Sequence, residues 1–83
     1  MNKSEILARV RKCITAVLDQ PDLTITMRTT AEDVEGWDSF NHVNIVVAIE
    51  SEFDVSFKAA EIEELRAVGE IVDLIDTKLA EKA

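Results

Sequence analysis

The sequence has few of the residues that form disulfides and metal centres: one cysteine, Cys13, and one histidine, His42. A lone cysteine excludes an intramolecular disulfide, and with a single histidine it cannot form a zinc cluster. An EF-hand is excluded as well, because a loop aligned on Gly36 would begin with Ala31 instead of an acid. Cys13 lies beside an apolar helical stripe, so we expect a small buried or half-buried side chain and not a reactive thiol. The sequence predicts no resident metal.

Basic residues and long apolar runs are also scarce. The chain has 9 Lys+Arg against 17 Asp+Glu, for a formal net charge of -8, which disfavours binding to nucleic acids and to anionic membranes. The longest apolar run, 45–49, has five residues, whereas a membrane-spanning helix needs about 20. The first residues contain no continuous apolar signal region. We therefore expect a cytoplasmic protein with no nucleic-acid partner and no membrane span.

Glycine and proline are rare, with 2 and 1 copies, while 47% of the 83 residues are hydrophobic. This apolar content is higher than that of most disordered chains, and we expect one folded domain covering residues 1–83. A domain of this length buries roughly 60–65% of its unfolded surface. A catalytic site with its own substrate pocket is difficult to fit into so small a core, so the length disfavours an enzyme.

Apolar residues recur at helical spacing in three long segments and one short segment. Residues 19–38 keep no such period, and we expect an ordered loop there, with a turn of helix near 30–34. A strand in this loop is disfavoured, because it would have no partner strand. The predicted fold class is all-α, a small bundle of three main helices plus one short helix. The predicted helices cover residues 4–18, 38–53, 58–65 and 69–80.

The second predicted helix is apolar around more of its circumference than a single core contact requires. One group of residues is expected to face the core, and a second apolar stripe lies beside a polar sector. Central placement in the bundle and contact with a partner or ligand both account for this pattern. The two groups are Ile45, Val46, Ile49 and Phe53 for the core, and Phe40, Val43 and Val47 for the second stripe.

The negative charge is concentrated in the second part of the chain. Residues 1–31 carry five basic and three acidic side chains, a net +2, and residues 32–83 carry four basic and fourteen acidic ones, a net -10. Solubility alone explains many acidic surfaces. The asymmetry also favours a more specific interpretation, in which the second part faces basic partners and its charge steers their encounter.

Ser39 and His42 lie three residues apart, within one turn of the predicted helix. Nucleophilic catalysis would also need an oxyanion hole, a group to orient the histidine and a pocket, and the sequence indicates none of them. A Gly-rich phosphate loop and a Gly-x-Ser-x-Gly motif are absent as well. We therefore interpret His42 as a surface residue and expect no catalytic residues.

Trp37-Asp38-Ser39-Phe40 places a hydroxyl at the start of a predicted helix, after a long loop and beside an acid. Helix N-termini present free N–H groups and the positive end of the helix dipole, which favour an attached phosphate. The alternative is purely structural: Asp38 or Ser39 caps the helix. These four residues alone leave both interpretations open.

A longer set of residues resembles the acyl carrier protein family. It consists of Gly-Trp-Asp-Ser-Phe-Asn-His-Val at 36–43 and Ile-Glu-Ser-Glu-Phe-Asp-Val at 49–55. The family's mark is Asp-Ser-Leu at the start of the second helix, which then ends in an acidic stretch and Phe. Residues 65–75 are similar to the family's entry into its last helix. The resemblance spans about residues 4–80.

The resemblance implies a covalent cofactor, 4′-phosphopantetheine from coenzyme A. Ser39 matches the serine that accepts this group through a phosphodiester. Asp38 matches the aspartate that helps bind the phosphopantetheinyl transferase and its Mg²⁺. The positions that match the family's partner contacts are Phe40, Val43, Val47, Glu50, Glu52, Asp54, Glu61, Glu63 and Glu64.

The implied function is that of an acyl carrier protein, which shuttles thioester-linked acyl intermediates between enzymes of fatty-acid, polyketide or related specialised biosynthesis. The implied partners are the transferase and acyl-activating ligases, acyltransferases or synthases with basic docking surfaces, and we expect a monomer. Phe40 replaces the usual leucine and keeps an apolar anchor. Asn41 and Asn44 stand where fatty-acid synthesis carriers commonly have acids, and Trp-Asp-Ser followed by Asn-His-Val resembles stand-alone carriers of specialised pathways. Two alternatives stay open: a peptidyl or aminoacyl carrier, and an acidic helical adaptor without a prosthetic group.

Overall fold

Four α-helices and one 3-10 turn organise the chain in the computed structural model, which describes residues 1–82. Three main helices, one short helix and a long first loop confirm the predicted all-α class. The predicted bounds agree to within one residue, except at the end of the last helix, which continues two residues past the predicted position 80. The elements are α1 (Lys3–Leu18), the 3-10 turn (Ala31–Asp33), α2 (Ser39–Phe53), α3 (Ala59–Glu64) and α4 (Val68–Lys82).

Polar side chains and backbone turns define where α1 begins and ends. The backbone N–H of Glu5 donates to Asn2 Oδ1 at 2.9 Å, which satisfies one of the free donors of the first turn. At the other end Asp19 has a φ of 53°, in the left-handed region. Its N–H and that of Gln20 reach back to carbonyls of the last turn. The helix therefore stops before Pro21, which cannot continue it.

The long loop, residues 19–38, is packed against the helices. Ile25 is buried, and Leu23 and Met27 are half-buried against the core. The 3-10 turn at Ala31–Asp33 confirms the expected turn of helix near 30–34. Apolar anchors at alternate positions hold the loop in place although it forms no strand of its own.

Part of this loop is hydrogen-bonded to the start of α4. The N–H of Val68 donates to the Thr29 carbonyl and the N–H of Gly69 to the Met27 carbonyl, both at 2.8 Å. A Cβ at position 69 would lie 2.8 Å from the Met27 carbonyl oxygen, so this close approach requires glycine. The attachment fixes the middle of the loop to α4 and leaves its last residues beside the start of α2.

The core lies between α1, α2 and α4, while α3 contributes no fully buried residue. Ile62 and Leu65 are half-buried and pack against the core. Cys13 on α1 is buried, as expected, and the loss of solvent around it raises the pKa of its thiol. Among residues 1–82, no helix has the length and apolarity needed to cross a membrane.

Candidate functional site

Ser39 is the first residue of α2, and its side chain is exposed. The helix is capped by its neighbour: Asp38 Oδ1 accepts from the N–H of Asn41 at 2.8 Å, and the Asp38 carbonyl accepts from the N–H of His42 at 2.8 Å. Within residues 1–82 no hydrogen bond engages the Ser39 hydroxyl. The capping alternative therefore applies to Asp38, and the serine hydroxyl is free for chemistry.

The turn before Ser39 is held from both sides. Gly36 has a φ of 88°, a backbone conformation that glycine adopts at little cost. Its carbonyl accepts from Asn41 Nδ2 at 2.8 Å, which ties the turn to the first turn of α2. Gln20 Nε2 donates to the Glu35 carbonyl at 2.8 Å, which ties the same turn to the end of α1. The turn that precedes Ser39 is therefore hydrogen-bonded both to α2 and to the end of α1.

Trp37 and His42 form a pair directly beside this turn. Trp37 is buried, with 8% of its surface exposed, and its Nε1–H donates to His42 Nδ1 at 3.1 Å. The two rings are stacked, with centroids 6.1 Å apart and planes 24° from parallel. The interpretation of His42 as a surface residue is wrong: the ring is half-buried, because its nitrogen satisfies the buried indole N–H.

A groove runs from Ser39 towards α3. Its volume is about 420 Å³, within the range of about 300–1,000 Å³ that is usual for small-ligand pockets. Ile62 and Leu65 supply the apolar side of the groove, and Asp38 and Glu63 supply carboxylates. The residues lining it are Ala31, Trp37, Asp38, Ser39, His42, Ile62, Glu63 and Leu65.

Comparison with known families identifies this arrangement. A model described as "Phosphopantetheine attachment site" matches residues 8–75 of the chain. The chain belongs to the phosphopantetheine attachment-site family. The match covers most of α1, all of α2 and α3 and about half of α4, so it includes Ser39 and both walls of the groove.

Individual members of the phosphopantetheine attachment-site family are similar to this chain along nearly its whole length. The acyl carrier protein of Thermosynechococcus vestitus is 35% identical over 81 residues, which cover 96% of this chain and 99% of that protein. The acyl carrier protein of Caulobacter vibrioides is 36% identical over 77 residues, 93% of this chain and 99% of that one. The solution structure of holo acyl carrier protein from Geobacter metallireducens superposes with a TM-score of 0.85 at 34% identity, covering 93% of this chain and 88% of that one.

The residues around Ser39 fit the group that gives the family its name. The hydroxyl is exposed and free, and within residues 1–82 the backbone N–H groups of Ser39 and Phe40 have no acceptor, as is usual in the first turn of a helix. These donors and the helix dipole favour a phosphate on the serine oxygen. The adjoining groove with its apolar side, formed by Ile62 and Leu65, leaves room for an attached chain.

The second apolar stripe of α2 lies on the surface. Phe40, Val43 and Val47 are 74%, 57% and 57% exposed, although apolar side chains of this size are usually buried. The structure thus excludes central placement in the bundle as their explanation, among the described residues. Three exposed apolar side chains along one helix face, starting beside Ser39, are typical of a contact surface.

Glu50 and Glu52, near the end of α2, are two of the acids at positions that match the family's partner contacts, and both are bonded to other residues of the chain. Glu50 Oε2 accepts from the backbone N–H of Phe57 at 2.8 Å, which closes the turn after α2. Glu52 pairs with Arg9 on α1 at 3.4 Å, with both side chains partly exposed. Their carboxylates therefore have structural partners within the chain.

Asp54 and Glu61 are also engaged. Asp54 Oδ2 pairs with Lys82 at 3.0 Å, and this bond supports the last turn of α4, which explains why α4 passes the predicted end. Glu61 accepts from the backbone N–H of Lys58 at 2.8 Å and pairs with Lys78 at 3.0 Å. These two donors, the backbone N–H first, lower the pKa of Glu61.

Glu63 and Glu64 differ from the other four acids. Both are exposed on α3, and within residues 1–82 neither carboxylate has a hydrogen-bond or ion-pair partner. Glu63 also lines the groove beside Ser39. Of the six acids matched by resemblance, these two are the ones whose charge is available to a partner near the serine.

The contact between Trp37 and His42 was not predicted from the sequence. The two residues are five apart, and one lies in the loop while the other lies in α2. One feature of the sequence could have indicated this contact. Helical side chains lean towards the N-terminus of their helix, so His42 points back over the turn that holds Trp37. A tryptophan in that turn needs an acceptor for its N–H, and the histidine is the side chain that reaches it.

Proposed function

We propose that this chain is an acyl carrier protein, a single carrier domain that bears 4′-phosphopantetheine on Ser39. The observation that carries the proposal is the free, exposed Ser39 hydroxyl at the start of α2, released from capping by Asp38. When bound, the group supplies a terminal thiol that holds an acyl chain as a thioester and carries it between active sites.

Loading uses the Ser39 oxygen as the nucleophile. Ser39 Oγ forms a bond to the coenzyme A phosphorus nearest the pantetheine, the pyrophosphate bond breaks, and the nucleotide part leaves. The transferase takes the hydroxyl proton, because within residues 1–82 no base is hydrogen-bonded to Ser39. Asp38 holds the helix cap through Oδ1, and its other oxygen is free to meet the Mg²⁺ that the transferase brings.

The chain acts as a substrate of its partners and not as a catalyst. His42 is committed to Trp37 through Nδ1, so Ser39 and His42 do not form the nucleophile–base pair that hydrolysis requires. The partner surface we propose combines the apolar stripe of Phe40, Val43 and Val47 with the free acids Glu63 and Glu64. Basic residues on a transferase, ligase, acyltransferase or synthase fit such a surface, and their charge speeds the encounter.

The uncharged start of α2 supports a specialised pathway. Asn41 bonds to the Gly36 carbonyl and Asn44 donates to Asn41 Oδ1 at 3.4 Å. Neutral amides therefore occupy the positions where acids are common in carriers of general fatty-acid synthesis. A partner that relies on basic residues opposite those two positions would lose its ion pairs here.

The test is enzymatic loading. Purified protein is incubated with coenzyme A, Mg²⁺ and a phosphopantetheinyl transferase of broad specificity, and its intact mass is recorded. We expect one phosphopantetheine addition to the wild-type chain and none to Ser39→Ala. Ser51→Ala, which removes an exposed serine from the same helix, is the matched control and should load like the wild type.

A folded chain that accepts no group would overturn the proposal and favour an adaptor without a prosthetic group. Circular dichroism on each variant separates a lost attachment site from a lost fold. The exposed position of Ser39 leads us to expect unchanged helicity in Ser39→Ala.

A further inference from the structure

His42 is not used in the loading chemistry, yet it lies at the attachment site. It follows Ser39 by three residues on α2 and lines the same groove. Residues at this spacing face one another on a helix, with Cβ atoms about 5–6 Å apart. The histidine is therefore within side-chain reach of whatever is joined to the Ser39 oxygen.

The bond from Trp37 determines which nitrogen of His42 carries the proton. An indole N–H can only donate, so His42 Nδ1, at 3.1 Å from Trp37 Nε1, is the acceptor. The neutral ring then has its proton on Nε2. Because Trp37 is buried and Nε2 is on the other edge of the imidazole, this N–H is directed away from the tryptophan.

The charges along the groove make such a donor valuable. Asp38 and Glu63 are the charged side chains that line it, and both are acids. A phosphodiester on Ser39 adds a further negative charge beside them, and no lysine or arginine is among the lining residues. His42 is the lining residue with a side-chain N–H not already bonded within residues 1–82.

We propose that His42 is a positioning residue for the prosthetic group: its Nε2–H donates a hydrogen bond to a phosphodiester oxygen on Ser39, in a tautomer fixed by Trp37. This inference rests on the proposed attachment at Ser39. The contact fixes the first atoms of the arm against α2, beside the groove that leads to Ile62 and Leu65.

Phosphorus NMR of the loaded protein tests this contact without measuring activity. A hydrogen bond to a phosphodiester oxygen changes the electronic environment of the phosphorus. We expect the ³¹P chemical shift of the wild-type holo-protein at pH 7.5 to differ from that of a holo-variant that lacks the Nε2 donor. We also expect the ¹⁵N shift of His42 Nε2 to differ between apo- and holo-protein at pH 7.5.

His42→Asn is the matched variant, because asparagine Oδ1 takes the place of Nδ1 as the acceptor for Trp37 while the distal donor is lost. We expect it to accept the group and to show a ³¹P shift at pH 7.5 that differs from that of the wild-type holo-protein. The same ³¹P shift in wild type and His42→Asn, or a ¹⁵N shift of His42 Nε2 that is unchanged between apo- and holo-protein, overturns the contact. Absence of any ³¹P signal, with no mass addition, instead overturns the attachment at Ser39.

Discussion

The two faces of α2 are both apolar, but only one of them is packed. On the inner face Ile45 and Ile49 are fully buried in the core. On the outer face Phe40 is 74% exposed, and Val43 and Val47 follow along the same side. The difference shows that the apolar residues of one short helix divide into two groups, one that stabilises the bundle and one that forms an exposed apolar surface beside Ser39.

The acidic residues show a similar division. Around the end of α2, Glu50 and Glu52 are bonded to Phe57 and Arg9 and so belong to the fold. On α3, Glu63 and Glu64 face solvent with free carboxylates in the described part of the chain. The acids therefore divide into those bonded within the fold and those whose carboxylates are free to meet a partner. Mutating one group and then the other should separate the two roles.

The largest effect is expected on the buried face of α2. Ile49→Ala leaves a cavity where a fully buried side chain packed, and such substitutions cost about 2–5 kcal/mol. We expect the free energy of unfolding, measured in urea, to fall by that amount. A loss within about 0.5 kcal/mol, the usual range for surface substitutions, would contradict the placement of Ile49 in the core.

The outer face should show the opposite behaviour. Phe40→Ala removes an exposed ring, so we expect the free energy of unfolding to change by no more than about 0.5 kcal/mol. An apolar side chain at the centre of an interface contributes more than about 1 kcal/mol to binding. We therefore expect kcat/KM for phosphopantetheine transfer to fall about fivefold or more.

Asn44→Ala is the matched control for Phe40→Ala, since it changes an exposed polar residue on the same helix and should leave both quantities nearly unchanged. Equal transfer rates for Phe40→Ala and the wild type would show that the outer face does not contact the transferase. A large loss of stability in Phe40→Ala would show that the ring belongs to the core.

The acids allow a finer comparison of charge. Replacing Glu63 and Glu64 together by lysine should slow loading at low salt, and the difference from wild type should shrink as salt screens the charges. Glu52→Lys, whose carboxylate already pairs with Arg9, should slow loading less. If Glu52→Lys had the larger effect, or if salt made no difference, the division of the acids proposed here would be wrong.

Much of the fold could be predicted because it rests on local patterns. The spacing of apolar residues defined the helices, and Asp38 with Ser39 marked the start of α2 because acids and hydroxyls are common at helix N-termini. The predictions of the all-α class and of the turn of helix near 30–34 rested on local patterns too, and the structure confirmed both. The longer α4 was missed, since Lys82 is held by Asp54, a residue 28 positions earlier in the chain.

The candidate site was predictable in position and less so in its contacts. Resemblance indicated Ser39, and helical periodicity indicated the apolar stripe. Only the structure separates Glu63 and Glu64 from acids that pair with Phe57, Arg9, Lys82 and Lys78. The role of His42 was also missed. Its partner Trp37 lies in an irregular loop, and the path of such a loop depends on tertiary packing that no periodicity records.

The central claim is that the prosthetic group is joined to Ser39 and to no other residue. The tryptic peptide 29–58 of the loaded protein contains three serines, Ser39, Ser51 and Ser56, so tandem mass spectrometry of this peptide distinguishes them directly. We predict fragment ions that carry the added phosphopantetheine only when they include Ser39. Fragments that carry the group on Ser51 or Ser56, or a loaded Ser39→Ala protein, would contradict the account.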